Sequence, residues 1–133
     1  MYVDKGGANA SAAADSPTAD SLLEAVISVR DSRLRLSPEQ IDKLLLAHPT
    51  LAEHACRQQG VGLFGDKIAS ASLPHLVEHL AIDKLVAAHG QAIAGTTTWQ
   101  RRTALVRLRL PANLLSAAEA ALRDAVAEIN TLI

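Results

Sequence analysis

Ser72-Leu73-Pro74-His75-Leu76-Val77-Glu78-His79-Leu80-Ala81-Ile82-Asp83-Lys84-Leu85-Val86-Ala87-Ala88-His89-Gly90 is the stretch on which the reading of this chain turns. Both ends carry helix punctuation. Ser72 can cap the first turn, Pro74 falls inside that turn, where its missing N–H is no loss, and Gly90 offers a C-cap after His89. Between them Leu73, Leu76, Val77, Leu80, Ala81, Ile82, Leu85 and Val86 spread apolar surface round most of the circumference. A helix apolar on nearly all sides is buried. The spacing therefore predicts a buried central helix that carries three polar side chains, His75, Glu78 and His79, within five residues.

Towards the C-terminus, two strands are expected, Ile93 to Trp99 and Ala104 to Leu110, joined through Gln100-Arg101-Arg102. Leu115, Ala118, Leu122, Val126 and Ile129 then mark an amphipathic final helix. Towards the N-terminus, Gly60, Gly62 and Gly65 mark a loop. Thr50-Leu51-Ala52-Glu53 reads as a capping box opening a short helix that carries Glu53, His54 and Cys56. Ser37-Pro38-Glu39-Gln40 is another capping box. Its helix runs through Ile41, Leu44 and Leu45 and ends at His48, because Pro49 disfavours helical geometry in the residue before it. Ala25, Ile27 and Val29 alternate with Val26, Ser28 and Arg30, with Leu34 and Leu36 beyond, which predicts one or two strands and a turn near Asp31-Ser32. Residues 1–20 are rich in Ala, Ser, Gly and Asp and are expected to be a disordered tail. The expected order is β-α-α-α-β-β-α, an α+β two-layer sandwich forming a single domain over residues 21–133. No internal repeat is visible.

Composition excludes several classes of function. The chain has 133 residues, 49% of them hydrophobic, enough for one real core. Thirteen basic and fourteen acidic residues nearly cancel, so no net field draws it to nucleic acid or anionic lipid. Tyr2, Phe64 and Trp99 are the only aromatic residues, too few to form the stacking platforms used on single strands. Cys56 is the only cysteine, so no internal disulfide can form and a reducing compartment is expected. There is neither an export signal nor an apolar run near the roughly 20 residues needed to span a bilayer. These readings predict a cytoplasmic protein with neither nucleic acid nor membrane as partner.

The chemistry lies in His75, Glu78 and His79. Four residues apart on a helix, two imidazoles project on one side with their bases about 6 Å apart. At that spacing both can reach one zinc ion at about 2.0–2.1 Å. Glu78 stands beside the same face, where a carboxylate can take a proton from water that zinc has acidified to a pKa of about 7. This HxxEH order is the reverse of HExxH and is the pattern of the inverzincin hydrolases. Burial adds weight, because three polar groups within five residues are costly to satisfy without a shared ligand. For the third ligand, Asp83 lies eight residues after His75 on the same stripe and leans back towards it. Cys56 or His54 is the alternative. His48 and His89 are expected at helix ends, where a cation favours the dipole.

Three blocks resemble the N-terminal domain of cyanophycin synthetases, enzymes that polymerise an Asp–Arg polymer. His48-Pro49-Thr50-Leu51-Ala52-Glu53-His54-Ala55-Cys56, followed by Gly60-Val61-Gly62-Leu63-Phe64, is similar to that family's "LPTL-x-EH-x-C … GGF" stretch. Leu73 to Asp83 resembles its "LGH-x-VEHVALE" helix. A weaker match runs from Ala94-Gly95-Thr96-Thr97-Thr98 into the last strand and helix. Together the blocks cover about residues 22–133. The resemblance implies a metal-dependent hydrolytic site that trims the polymer into primers, with His75 and His79 as ligands and Glu78 as base. The chain departs from the pattern where Asp83 replaces a Glu, Pro74 replaces a Gly, and Ala69-Ser70-Ala71-Ser72-Leu73 stands in place of "GTW". No ligase domains follow, so polymer synthesis is not expected of this chain.

The expected function is thus zinc-dependent hydrolysis of a peptide or amide bond, with an Asp–Arg polymer fragment as one candidate substrate. Arg101, Arg102, Arg107 and Arg109 could receive substrate carboxylates in bidentate fashion, or could simply be solvated strand residues. The alternative is a non-catalytic module that binds a peptide or partner and keeps the fold with a structural metal. A homo-oligomer using the C-terminal helix as interface is a further reading.

Overall fold

The computed structural model describes residues 2–12, 20–30, 35–56, 60, 62–91 and 93–133, with side chains from residue 21 onward except that of Gln100. In chain order these residues form β1 (Tyr2–Ala12), β2 (Asp20–Ser28), α1 (Pro38–Ala47), β3 (Ala55–Cys56), β4 (Gly62–Leu63), α2 (Leu73–His89), β5 (Ala94–Gln100), β6 (Thr103–Pro111) and α3 (Leu115–Leu132). Short 3₁₀ turns lie at Pro49–Glu53, Phe64–Asp66, Ile68–Ser70 and Ala112–Leu114. The class is α+β, as expected.

One antiparallel sheet has the order β1-β2-β6-β5, and β3 and β4 make a separate two-residue hairpin. Strict alternation sets its faces. Leu23, Ala25 and Ile27 of β2 and Ala104, Val106, Leu108 and Leu110 of β6 are buried against α2 and α3. The intervening Leu22, Glu24, Leu105, Arg107 and Arg109 lie on the opposite, more open face. α2 packs against α3, against β5 and β6 of the sheet, and against the Pro49–Glu53 turn. Every residue from Leu73 to Asp83 is therefore buried.

The helix punctuation is used as predicted. Ser37 and Gln40 form a reciprocal capping box, and His48 is the C-cap of α1. Ser72 accepts from the His75 N–H, and Gly90 closes α2 at φ +66°, a backbone that glycine adopts without strain. Among the described residues, no helix is long and apolar enough to cross a membrane.

Several expectations are corrected. Tyr2–Ala12, read as disordered tail, is an edge strand along β2, with an irregular register between Val3 and Ala8. Strand pairing uses backbone groups, which a composition of small residues does not reveal. Residues 13–19 lie outside the described residues, as does the turn expected near Asp31-Ser32. Of the one or two strands expected between Leu22 and Leu36, one, β2, is present among the described residues. The capping box at Thr50 and Glu53 does not form, because Pro49 starts a 3₁₀ turn and the Thr50 hydroxyl donates to Asp83 instead. His54 and Cys56 are accordingly on no helix: His54 follows the turn and Cys56 ends β3. The amphipathic pattern expected of the final helix does hold in α3, whose Ala118, Leu122, Ala125 and Ile129 are at most 1% exposed.

Candidate metal centre

α2 places His75 and His79 one turn apart, and their Nε2 atoms lie 3.1 Å from each other. The β3–β4 hairpin brings in Cys56, whose Sγ is 3.7 Å from His75 Nε2. These three ligand atoms all lie within 4.8 Å of one another, and all three residues are buried. A zinc held tetrahedrally by nitrogen at 2.0–2.1 Å and sulfur at 2.3 Å sets its ligand atoms about 3.3–3.6 Å apart. Two of the spacings, 3.1 and 3.7 Å, are close to those edges and the third is within 4.8 Å, so the cluster could hold a metal ion. Phe64, fully buried, stacks on His79 at a ring separation of 3.9 Å and meets His75 edge-on at 5.2 Å. It fixes both rings against rotation.

Glu78 sits between α2 and β5. Its Oε1 accepts from the Thr97 hydroxyl at 2.6 Å, while Oε2 lies 3.7 Å from His79 Nε2. Gly95 lies over it so closely that a Cβ there would stand 3.0 Å from Glu78 Cγ, Glu78 Oε2 and Ile82 Cδ1. Burial pushes the Glu78 carboxyl up to about 7, against the opposing pull of the Thr97 hydrogen bond. Burial also draws His79 down to about 3, helped by the like charges of His75, His54 and Lys67. It lowers His75 too, with Lys67 adding to the effect. The Glu78–His79 approach is therefore no ion pair, since burial holds that imidazole neutral. Neutral imidazoles are the form that ligates metal.

Asp83, expected as third ligand, is not part of this cluster. Eight residues after His75 it is about 12 Å further along the helix axis. Its Oδ1 accepts from Thr50 Oγ1 at 2.6 Å and lies 2.9 Å from His54 Nε2. The alternative, Cys56, occupies the third position. His54 instead bridges the two groups, its Nδ1 lying 3.3 Å from Nδ1 of His79. His48, given no chemistry by its place at a helix end, contacts Glu128 of α3 and comes within 4.0 Å of Asp83 Oδ2. His89 remains at the end of α2.

Burial did not make a shared ligand obligatory. Protein groups alone supply partners for His75, Glu78 and His79. Among the described residues, Ser21 Oγ is the one buried side-chain polar atom left without a partner. Nor do the arginines converge on the site. Arg101 and Arg102 form the β5–β6 turn, while Arg107 and Arg109 line a cavity of about 280 Å³ on the face turned away from α2, with Arg107 3.6 Å from Glu24. Thr97, Gly95 and Phe64 were not identified as site residues from the sequence. Phe64 belongs to the glycine-containing block after Cys56, but no local pattern links Thr97 to Glu78.

No protein-family model, curated protein or solved structure matches this chain. The likeness to the cyanophycin synthetase N-terminal domain accordingly rests on the three sequence blocks.

Proposed function

We propose that this protein is a zinc-dependent hydrolase of peptide or amide bonds, with Cys56, His75 and His79 holding the metal and Glu78 as base. One observation carries the reading. A thiol and two neutral imidazoles hold their ligand atoms within 4.8 Å of one another, two of the spacings close to the edges of a tetrahedral zinc site, and a buried carboxyl approaches one of the ligand nitrogens. Three protein ligands leave one position open, which is the pattern of catalytic zinc. When bound there, zinc supplies a Lewis acid that makes water nucleophilic at neutral pH. Glu78 takes one proton from the attacking water as its oxygen adds to the carbonyl carbon. It then returns that proton to the departing nitrogen as the C–N bond breaks, giving an acid and an amine. Thr97 holds Oε1, leaving Oε2 as the proton-carrying oxygen. The resemblance in the His48–Phe64 and Leu73–Asp83 blocks supports an Asp–Arg polymer fragment as substrate, and the lone cysteine, Cys56, supports a cytoplasmic setting.

Elemental analysis and turnover test this reading together. Purified wild-type protein should carry about one zinc per chain, and His79→Ala should carry none. Cleavage of a peptide panel that includes Asp–Arg polymer should disappear in Glu78→Gln while zinc is retained. Metal-free wild type, or unchanged turnover in Glu78→Gln, would overturn the proposal.

A second reading, a non-catalytic binding module with a structural metal, is favoured by the enclosure of the site. His75, Glu78 and His79 are at most 8% exposed, which leaves a substrate little access to them. Retained zinc with no turnover in the wild type would select it.

A further inference from the structure

We infer that Asp83 and His54 are positioning residues that fix His79 in the one tautomer able to present Nε2 to zinc. This inference rests on the zinc site proposed above and gives a task to two residues that site leaves unused. The hydrogen-bond chain reads in only one direction. An imidazole nitrogen that ligates metal carries no proton, so His79 must keep its proton on Nδ1. That N–H faces His54 Nδ1 at 3.3 Å, which must then accept it. His54 consequently carries its own proton on Nε2 and donates it to Asp83 Oδ1 at 2.9 Å. Asp83 Oδ1 accepts from Thr50 and faces His54 Nε2, so Asp83 sets the sense of every donor before it.

Asp83 is itself held in place. Thr50, inside the Pro49–Glu53 turn, donates to the same Oδ1 at 2.6 Å, and the residue is 7% exposed. The helix supplies the spacing. Asp83 is four residues after His79, on the same face one turn along, and His54 spans the gap from outside the helix. A carboxylate–imidazole pair behind a ligating imidazole orients the ring and raises its basicity, and losing such a partner costs about 10–100-fold in metal affinity.

Zinc affinity measured by chelator competition, cobalt(II) spectra and ¹⁵N NMR of the imidazoles test the inference. Asp83→Asn and His54→Leu should each weaken zinc by about 10–100-fold. Adding Asp83→Asn to His54→Leu should weaken it no further, because Asp83 acts through His54. Cobalt-loaded Asp83→Asn should keep the wild-type ligand-field and thiolate bands, a signature that loss of a ligand would change. In the zinc-loaded wild type, NMR should place protons on His79 Nδ1 and His54 Nε2, a readout that requires no variant to fold. Zinc binding unchanged in Asp83→Asn, an altered cobalt spectrum, or the opposite tautomer of His79 would each overturn the inference. Failure of the wild type to bind zinc would remove the metal site and this inference together. Tight zinc binding indifferent to Asp83 would remove the inference alone.

Discussion

Replacing Glu78 by Gln should stabilise the metal-free protein above neutral pH, an unusual direction for a buried polar residue. Glu78 is 3% exposed, and burial raises its carboxyl from an ordinary 4.5 to about 7. The folded state thus holds this proton more tightly than the unfolded chain does. Its favourable contribution is complete below about 4.5, declines as pH rises through 7, and gives way to a constant cost above that. At about 1.4 kcal/mol per pKa unit, the shift corresponds to a cost of about 3 kcal/mol at pH 8. Gln has nearly the same shape, its carbonyl can still accept from Thr97, and it carries no charge to desolvate. In EDTA, urea unfolding should show the two proteins equally stable near pH 4 and Glu78→Gln more stable at pH 8, by about 1–2 M in midpoint. Taking the difference between the two proteins cancels the opposite titration of His79, whose lowered pKa removes stability as pH falls below 6.5 towards 3. A stability difference that stays flat from pH 4 to 8 would refute the reasoning.

Two further substitutions probe the packing behind the site. Gly95→Ala places a methyl group 3.0 Å from Glu78 and Ile82, and such overpacking should cost about 1–3 kcal/mol in urea unfolding. It should also displace Glu78, so turnover in the zinc-loaded protein should fall more than zinc affinity does. Phe64→Ala removes a fully buried ring stacked on His79 and should cost about 3–5 kcal/mol. Freeing both imidazoles, it should weaken zinc binding as well, measured by the same chelator competition.

Local reading worked where short-range chemistry decides the outcome. The Ser37 and Ser72 caps, the Gly90 stop and the nearly uniform apolarity of Leu73 to Val86 specify α1 and α2 within a few residues. The i, i+4 spacing of His75 and His79 needs only helix geometry to bring two nitrogens together. What failed depended on partners far along the chain. Thr50 lies inside the turn that Pro49 starts and gives its hydroxyl to Asp83, and Tyr2–Ala12 pairs along the backbone of β2.

The amino-acid sequence by itself determined the central helix, the class of fold and the pair of imidazoles, because each follows from periodicity and capping over a few turns. Tertiary structure alone decided the third member of the buried cluster and the state of the Glu78 carboxyl. Cys56 comes from a hairpin 19 residues before His75, and Thr97 from a strand 19 residues after Glu78. Only the packed core brings them within reach, and only the desolvation it imposes moves the Glu78 carboxyl towards neutral pH.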